Sequence, residues 1–531
     1  MKTITVQQLH QLIQSNQECA LVDVREQGSY SSGHLLFAIC IPLSRLDLLI
    51  ADLVPRKLTP IVLMDRPEEE SFAERAGECL EAIGYENVRI LSGGVGAWHD
   101  HGLELFTGIN VPSKAFGEFI EHVYDTPRLA ASEVQERLEA GEDMVIVDSR
   151  PFAEFQRMNI PTGTDMPGAE LVYRIHDLAP DPQTLIVVNC AGRTRSIIGA
   201  QSLINAGLPN PVVALKDGTM GWHLSGFELE HGTDRVAPVP SRTGLAKAQA
   251  SAAKVRRRFG VSGVNQAHVE HWLKDPQRST FCLDVRSPEE YAVSHVAGYR
   301  NAPGGQLVQA TDEYVGVRNA RIVLADEAGV RATMTASWLL QMGWREVYVL
   351  EDDYACLPQN SGSPSGAWSS AWTDDKIDGL PPAALTTDVL ASALRQVTVV
   401  DLGPSPAYEV EHIPGAVWCT RARLAGWLAD QSGQRVVLTS PDGRLARVAL
   451  SDTYAPGLQI DALDGGTEKW IAEGRETSTG LERTVSPTDD VWFKPYDHRG
   501  EQEKFMREYL TWEVALVDQI ARDGTTKFRA F

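Results

Sequence analysis

Residues 189–196 read NCAGRTRS and stand between an apolar run, LIVV at 185–188, and the stretch IIGAQSLINAG. A cysteine set where a strand ends and a helix begins is a candidate nucleophile, provided that it is held as thiolate. At an ordinary pKa of about 8.5 only a few per cent of a thiol is ionised near neutrality, and lowering it to ~6.5 needs roughly 2.7 kcal/mol of differential stabilisation. The same octet offers the sources. A helix amino terminus favours negative charge, and Arg193 and Arg195 bring fixed positive charge. The backbone N–H groups of Ala191, Gly192, Arg193, Thr194, Arg195 and Ser196 can converge as an anion-binding nest, with Gly192 free to take the conformation this needs. Guanidinium groups also pair bidentately with oxyanions. Cys190 is therefore expected to be a nucleophile that processes anions.

The elements that must position this loop occur four times. ALVDVREQGSY (20–30), VIVDSRPFAEF (145–155), FCLDVRSPEEY (281–291) and TVVDLGPSPAY (398–408) are each a short apolar strand ending in aspartate, then a turn and a helix start closed by an aromatic. A second strand, loop and helix follow at a nearly constant distance. Asp23 to Asp65, Asp148 to Cys190 and Asp284 to Asp326 each span 42 positions, and Asp401 to Ser440 spans 39. The cysteine position is thus held in turn by Asp65, Cys190, Asp326 and Ser440, so one unit of four is armed. A last strand runs into LSGGVGAW (91–98), LKDGTMGW (215–222) and LDGGTEKW (463–470), while the third unit ends instead in LEDDYACL (350–357). Alternating strand and helix patterns with short connections predict an α/β fold: in each unit a parallel sheet flanked by helices. Ligands of such sheets sit beyond the carboxyl ends of the strands, where the Cys190 loop lies.

The VDxR strand end, the closing aromatic, the cysteine loop and the GGxxxW ending, in this order and repeated, resemble the rhodanese family of sulfurtransferases. The resemblance covers almost all of residues 1–478 as four tandem modules and implies about five parallel strands in each. It implies that Cys190 takes sulfane sulfur from thiosulfate or a related donor, with sulfite leaving, and passes the persulfide sulfur to cyanide or to a thiol or protein acceptor. No cofactor or metal is implied. Arg174, in GAELVYRIHD, matches a basic residue that family members often place in the anion pocket. Related folds that handle phosphate or arsenate set five residues between cysteine and arginine. Four residues separate Cys190 from Arg195, a tighter loop that favours sulfur transfer over phosphatase or arsenate reductase chemistry. A persulfide-relay scaffold with little thiosulfate turnover stays open as an alternative.

Asp148 and Arg150 are expected to support the loop as an ion pair, Glu154 to cap its helix, and Trp222 to lie in the core. Three units carry His34, His295 and His412 eleven residues after the strand-end aspartate, where the armed unit has Asn159, so that histidine is expected to be structural. Cys19, Cys40, Cys79, Cys282, Cys356 and Cys419 are expected to be small buried hydrophobes.

Expected boundaries are 1–107 and 108–239 for the first two units, 261–358 and 380–478 for the last two, and a tail at 479–531 whose apolar residues recur at helical spacing. An Ala/Arg-rich linker spans 240–260, its KVRRRFG run a solvated helix face, and PQNSGSPSGAW (358–368) is expected to be a flexible bridge. The three unarmed units are expected to stabilise the second, form a homodimer, shape access to it, or dock a protein sulfur donor or acceptor.

With 71 acidic and 49 basic side chains among 531 residues, the net charge of −22 disfavours nucleic acid and anionic membranes as partners. No run of apolar residues is long enough for a membrane span. The start MKTITVQQLHQLIQ carries no apolar signal core, and seven cysteines show no paired spacing. The expectation is a cytoplasmic protein with reduced thiols.

Overall fold

The computed structural model describes residues 1–362, 383, 385–431, 435–498 and 500–531. Residues 363–368 of the expected flexible bridge, and the expected start of the fourth unit at 380, lie outside the described residues.

Among the described residues, three five-stranded sheets and one four-stranded sheet follow one another along the chain, with a small antiparallel pair of His295–Val296 and Gln359–Asn360 beside the third. In the second unit the strand order is Arg128–Leu129, Val212–Leu215, Leu185–Asn189, Met144–Asp148 and Thr164–Asp165, all parallel. The first and third units repeat this order. The fourth keeps four strands, and a single parallel bridge from Leu385 to Leu463 stands where the others have their first edge strand. Both faces of each sheet are covered, which is why the central strands read as unbroken apolar runs; Ile186, Val187 and Val188 are wholly buried.

Register explains the constant interval in the sequence. Asp23 lies beside Met64, Asp148 beside Asn189, Asp284 beside Ala325 and Asp401 beside Thr439. Each of those partners immediately precedes the cysteine position, so every strand-end aspartate braces the loop that begins next door. In three units the last strand runs into a short helix, Gly94–Asp100, Gly218–Leu224 or Gly466–Ala472. Trp98, Trp222 and Trp470 on these helices are buried, and each indole N–H donates to a carbonyl six residues on, that of Glu104, Glu228 or Glu476. The glycine that opens each helix is required. A Cβ on Gly218 would lie 2.4 Å from the carbonyl oxygen of Cys190, and Gly94 and Gly466 press as closely on Asp65 and Ser440.

The segments between and after the sheets tie the units together. The expected linker is an 18-residue helix, Arg242–Phe259, packed between helices Glu170–Leu178 and Val330–Gln341. Val255 and Phe259 are buried while Arg257 and Arg258 face water, as a solvated helix face requires. The tail forms helix Gln502–Asp523, which packs against helix Val111–Tyr124 and across the second unit's cysteine loop. Among the described residues no helix is long and apolar enough to cross a membrane.

Candidate active site

Cys190 follows the central strand Leu185–Asn189 and lies four residues before helix Thr194–Asn205. Its carbonyl accepts from the Thr219 amide (2.8 Å) and hydroxyl (3.0 Å). Asn189, just before it, donates to Asp148 Oδ2 at 2.8 Å, so the strand pair and the last turn hold the loop from both sides. The sulfur is buried, with the residue 2% exposed. Burial pushes the Cys190 thiol up, and Arg195 with the Ser196 hydroxyl and amide pull it down without cancelling that rise. Burial thus favours the protonated form of Cys190 in this structure.

The seat recurs in the other units, filled differently. Asp65 accepts from the Ala73 amide at 2.7 Å, Asp326 from those of Arg331 and Ala332 at 3.3 and 3.2 Å, and Ser440 from that of Ala446 at 3.3 Å. The helix amides that turn toward Cys190 in the second unit are, in the others, occupied by the side chain itself. A carboxylate in this place is a built-in anion bound to a helix amino terminus.

The two loop arginines differ. Arg195 is the cation that acts on Cys190. It is held by Glu154 at 2.8 Å and by Gln306 of the third unit at 3.4 Å. Arg193, expected beside the sulfur, is engaged instead by Glu118, Glu121 and Asp217. Three carboxylates outcompete one thiol for a guanidinium. Glu154, expected to cap its helix, makes no cap bond there and grips Arg195. Burial would raise its carboxyl, but Arg195 and Lys494 outweigh it and hold Glu154 down at about 2. A carboxyl depressed from 4.5 adds stability that is complete above that pH and lost as pH falls through about 2. Glu154→Gln is therefore expected to lower the thermal midpoint at neutral pH, with the gap closing across that acid window. A gap that stays constant there would rule this clamp out.

Arg174 is bound to Glu170 at 2.6 Å and to the Ala237 carbonyl at 2.8 Å. It lines a cleft of about 740 Å³ between the second and third units, with Ser149, Asp165, Ser287 and Gln306 also in its walls. Asp148 and Arg150 form a buried pair at 2.7 Å, and Arg150 also donates to the Met158 carbonyl. Asp23–Arg25 and Asp284–Arg286 repeat this pair in unarmed units, so its role is to shape the turn.

The C-terminal helix supplies what sequence reasoning missed. Gly192 lies under it: a Cβ there would meet Met220 Cε at 2.9 Å, Glu513 Oε2 at 3.0 Å and Tyr509 Cε1 at 3.4 Å. Thr194 and Tyr509 donate their hydroxyls to Glu513 Oε1 at 3.2 and 3.0 Å. The signal was present: on this helix the buried positions are Met506, Glu513, Leu516 and Ile520, one acid on an otherwise apolar stripe. Among the described residues no cluster of histidine, cysteine and carboxylate side chains could hold a metal ion.

A sequence profile of the rhodanese-like domain matches residues 5–101, 130–225 and 268–355, more than half of the chain. The chain belongs to the rhodanese family. A solved structure, a thiosulfate sulfurtransferase from Pseudomonas aeruginosa, is 43% identical over the full length of both chains, with a TM-score of 0.91. An HTH-type transcriptional regulator of Mycobacterium tuberculosis is 33% identical over 104 residues. That match takes in 20% of this chain and spans 45% of the regulator's length. The fourth rhodanese module lies outside the profile's matches, and its strand pairing places it with the others.

Within the rhodanese modules the histidine is part of the framework. His34, His295 and His412 stack on Tyr30, Tyr291 and Tyr408 at 3.7–3.9 Å between ring centroids. His295 and His412 also bond the tyrosine carbonyl four residues back. Asn159 reproduces that bond, donating to the Phe155 carbonyl at 3.2 Å, which is how the armed module dispenses with the ring. Of the six other cysteines, Cys19, Cys282 and Cys419 are buried as expected, Cys40 and Cys79 are half-buried, and Cys356 is exposed beside Asp353. Cys356 corrects the expectation because the third module, lacking the closing tryptophan helix, ends in a surface turn at Tyr354–Cys356.

Proposed function

We propose that this chain is a sulfurtransferase in which Cys190 carries sulfane sulfur from thiosulfate or a related donor to cyanide or a thiol. The Cys190 thiol first gives up its proton to solvent, and the thiolate, with Arg195 beside it, attacks the donor's outer sulfur. The new S–S bond forms as the bond to the sulfonate sulfur breaks, and sulfite leaves with the electron pair. The acceptor then takes the outer sulfur and returns Cys190 as thiolate. One observation carries this reading: of four equivalent seats at helix amino termini, only the second offers a nucleophile, and the others fill the cradle with their own oxygen atoms. Arg195 and the Ser196 amide are placed to stabilise charge on the thiolate and on the persulfide. The cleft beside Arg174 is wide enough for an organic acceptor and borders the loop through Ser149 and Gln306. The 43% identical Pseudomonas aeruginosa structure, named a thiosulfate sulfurtransferase, supports the assignment. All seven cysteines are free, in keeping with a reducing, cytoplasmic setting.

The relay reading is favoured by a different observation, namely that the sulfur lies behind the C-terminal helix with both loop arginines already paired. Intact-protein mass spectrometry separates the two. Exposure to thiosulfate is expected to add one sulfur atom at Cys190, removable by cyanide. If only a persulfide donor adds it, the relay reading stands, and if neither does, sulfur transfer is excluded.

A further inference from the structure

Glu513 is 2% exposed and projects from the C-terminal helix onto the cysteine loop. Its Oε1 accepts from Thr194 and Tyr509, whereas Oε2, over Gly192, has no hydrogen-bond partner among the described residues. A carboxyl with a free oxygen therefore lies over the cysteine loop, and its charge acts on Cys190. The cations nearby offset it only in part, because each is also spent on other partners. Arg193 is taken up by Glu118, Glu121 and Asp217, and Arg195 by Glu154. Lys114 is buried, donates to the Ile109 carbonyl, and sits among the rings of Trp492, Tyr509 and Trp512 at 5.2–5.5 Å.

We infer that Glu513 is a specificity-determining residue that selects sulfur donors by charge, disfavouring dianions at the Cys190 loop whenever its carboxyl is ionised. This rests on the sulfur-transfer reading above and deepens it by naming a charge preference among sulfane-sulfur donors, a monoanion being favoured over the dianion thiosulfate while Glu513 is ionised. The physical reason is Coulombic. Beside an ionised carboxyl, at an effective dielectric constant of about 20, each further unit of donor charge costs at least about 10-fold in binding.

Burial pushes Glu513 up to about 7, with Lys114 opposing and Glu118 adding to the rise, so the filter changes state near neutrality. Arg193 and Tyr509 also face the group and lower it. Lys114 itself is held down at about 8, and its loss of charge above that pH strengthens the filter. The ionisation of Cys190, which burial disfavours, is common to every donor.

The test compares thiosulfate, a dianion, with benzenethiosulfonate, a monoanion whose outer sulfur is transferred in the same way with sulfinate as leaving group. With cyanide as acceptor, kcat/KM for each donor reports the first half-reaction, and their ratio cancels the ionisation of Cys190. In the native protein the thiosulfate-to-thiosulfonate ratio is expected to fall at least about 10-fold from about pH 6 to about pH 8.5. Glu513→Gln, which keeps an acceptor for Thr194 and Tyr509, is expected to hold the ratio at its low-pH value throughout. Glu513→Asp, which keeps the charge, is expected to preserve the fall. A flat ratio in the native protein, measured without any variant, overturns the inference while leaving sulfur transfer intact. So does an equal loss of both donors in Glu513→Gln. Turnover that is independent of Cys190 with both donors overturns the inference together with the reading beneath it.

Discussion

Cys190→Ser is expected to abolish thiocyanate formation from any sulfane donor, a loss of at least about 10³-fold, because the nucleophile of a covalent mechanism has no substitute. The protein should nevertheless fold and melt as before. The fourth module shows why: Ser440 occupies the equivalent seat, buried, and accepts the Ala446 amide in the geometry the sulfur would use. A hydroxyl there satisfies the helix terminus but stays protonated, since serine is a far weaker acid than cysteine and a poor nucleophile at its free pKa. Thiocyanate production measured beside the melting curve decides the matter. Retained turnover with an unchanged melt would move the chemistry to another thiol, and Cys356, the exposed one, would be the first to test.

The largest expected stability effect lies away from the sulfur, at Arg331. This wholly buried guanidinium on helix Val330–Gln341 binds Glu170 of the second module at 2.8 Å, and Glu290 and Glu327 of the third at 2.7 and 2.6 Å. Asp326 lies 3.8 Å away, and the guanidinium stacks on Tyr173. Arg331→Met leaves Asp326 buried without its cation and Glu170 with Arg174 alone, which is expected to cost about 3–5 kcal/mol, as for other broken buried pairs. A chain of several modules need not unfold in one step, so the readout is the first thermal transition. The pH dependence follows from Asp326. Burial raises it from 3.8 to about 6 even with Arg331 present. A carboxyl raised in the fold takes away stability progressively as pH climbs through that range, and without Arg331 it is raised further. The variant should therefore be closest to the native protein near pH 4 and furthest from it above about pH 7. Adding Asp326→Asn should recover part of the loss. An unchanged first transition would show that the two modules are not welded through this residue.

Arg331 also gives the unarmed third module a definite role. Its helix is buried against the second module, its Gln306 reaches Arg195, and Trp338 donates to Ser202 at 2.8 Å on the helix that follows the cysteine loop. The same module walls the cleft that Arg174 lines. None of this could be read from the spacing of either module alone.

How much was legible depended on the range of the interaction. The sheet order, the strand-end aspartates, the cysteine seat and the buried Trp222 follow from patterns within one repeat, and register turns them into neighbours without help from elsewhere. The structural part of the histidine was legible too, because units that lack the cysteine keep it. The cations were harder. Two arginines in one loop look alike in a sequence, yet only Arg195 acts on Cys190, while Glu118 and Glu121, some seventy residues earlier, draw Arg193 away. Glu154 was misassigned for the same reason, since its partner lies 41 positions on.

By itself the sequence determined that there are four copies of one parallel-sheet unit and that a single copy holds a thiol at a helix amino terminus. Backbone hydrogen bonding, apolar periodicity and local turn chemistry decide such matters over short distances. Only the tertiary structure decided the charge state around that thiol. Electrostatic energy in a buried site depends on every charge within a few ångströms, and here those charges arrive from a connector helix, the segment before the C-terminal helix and that helix itself, up to 340 residues apart along the chain.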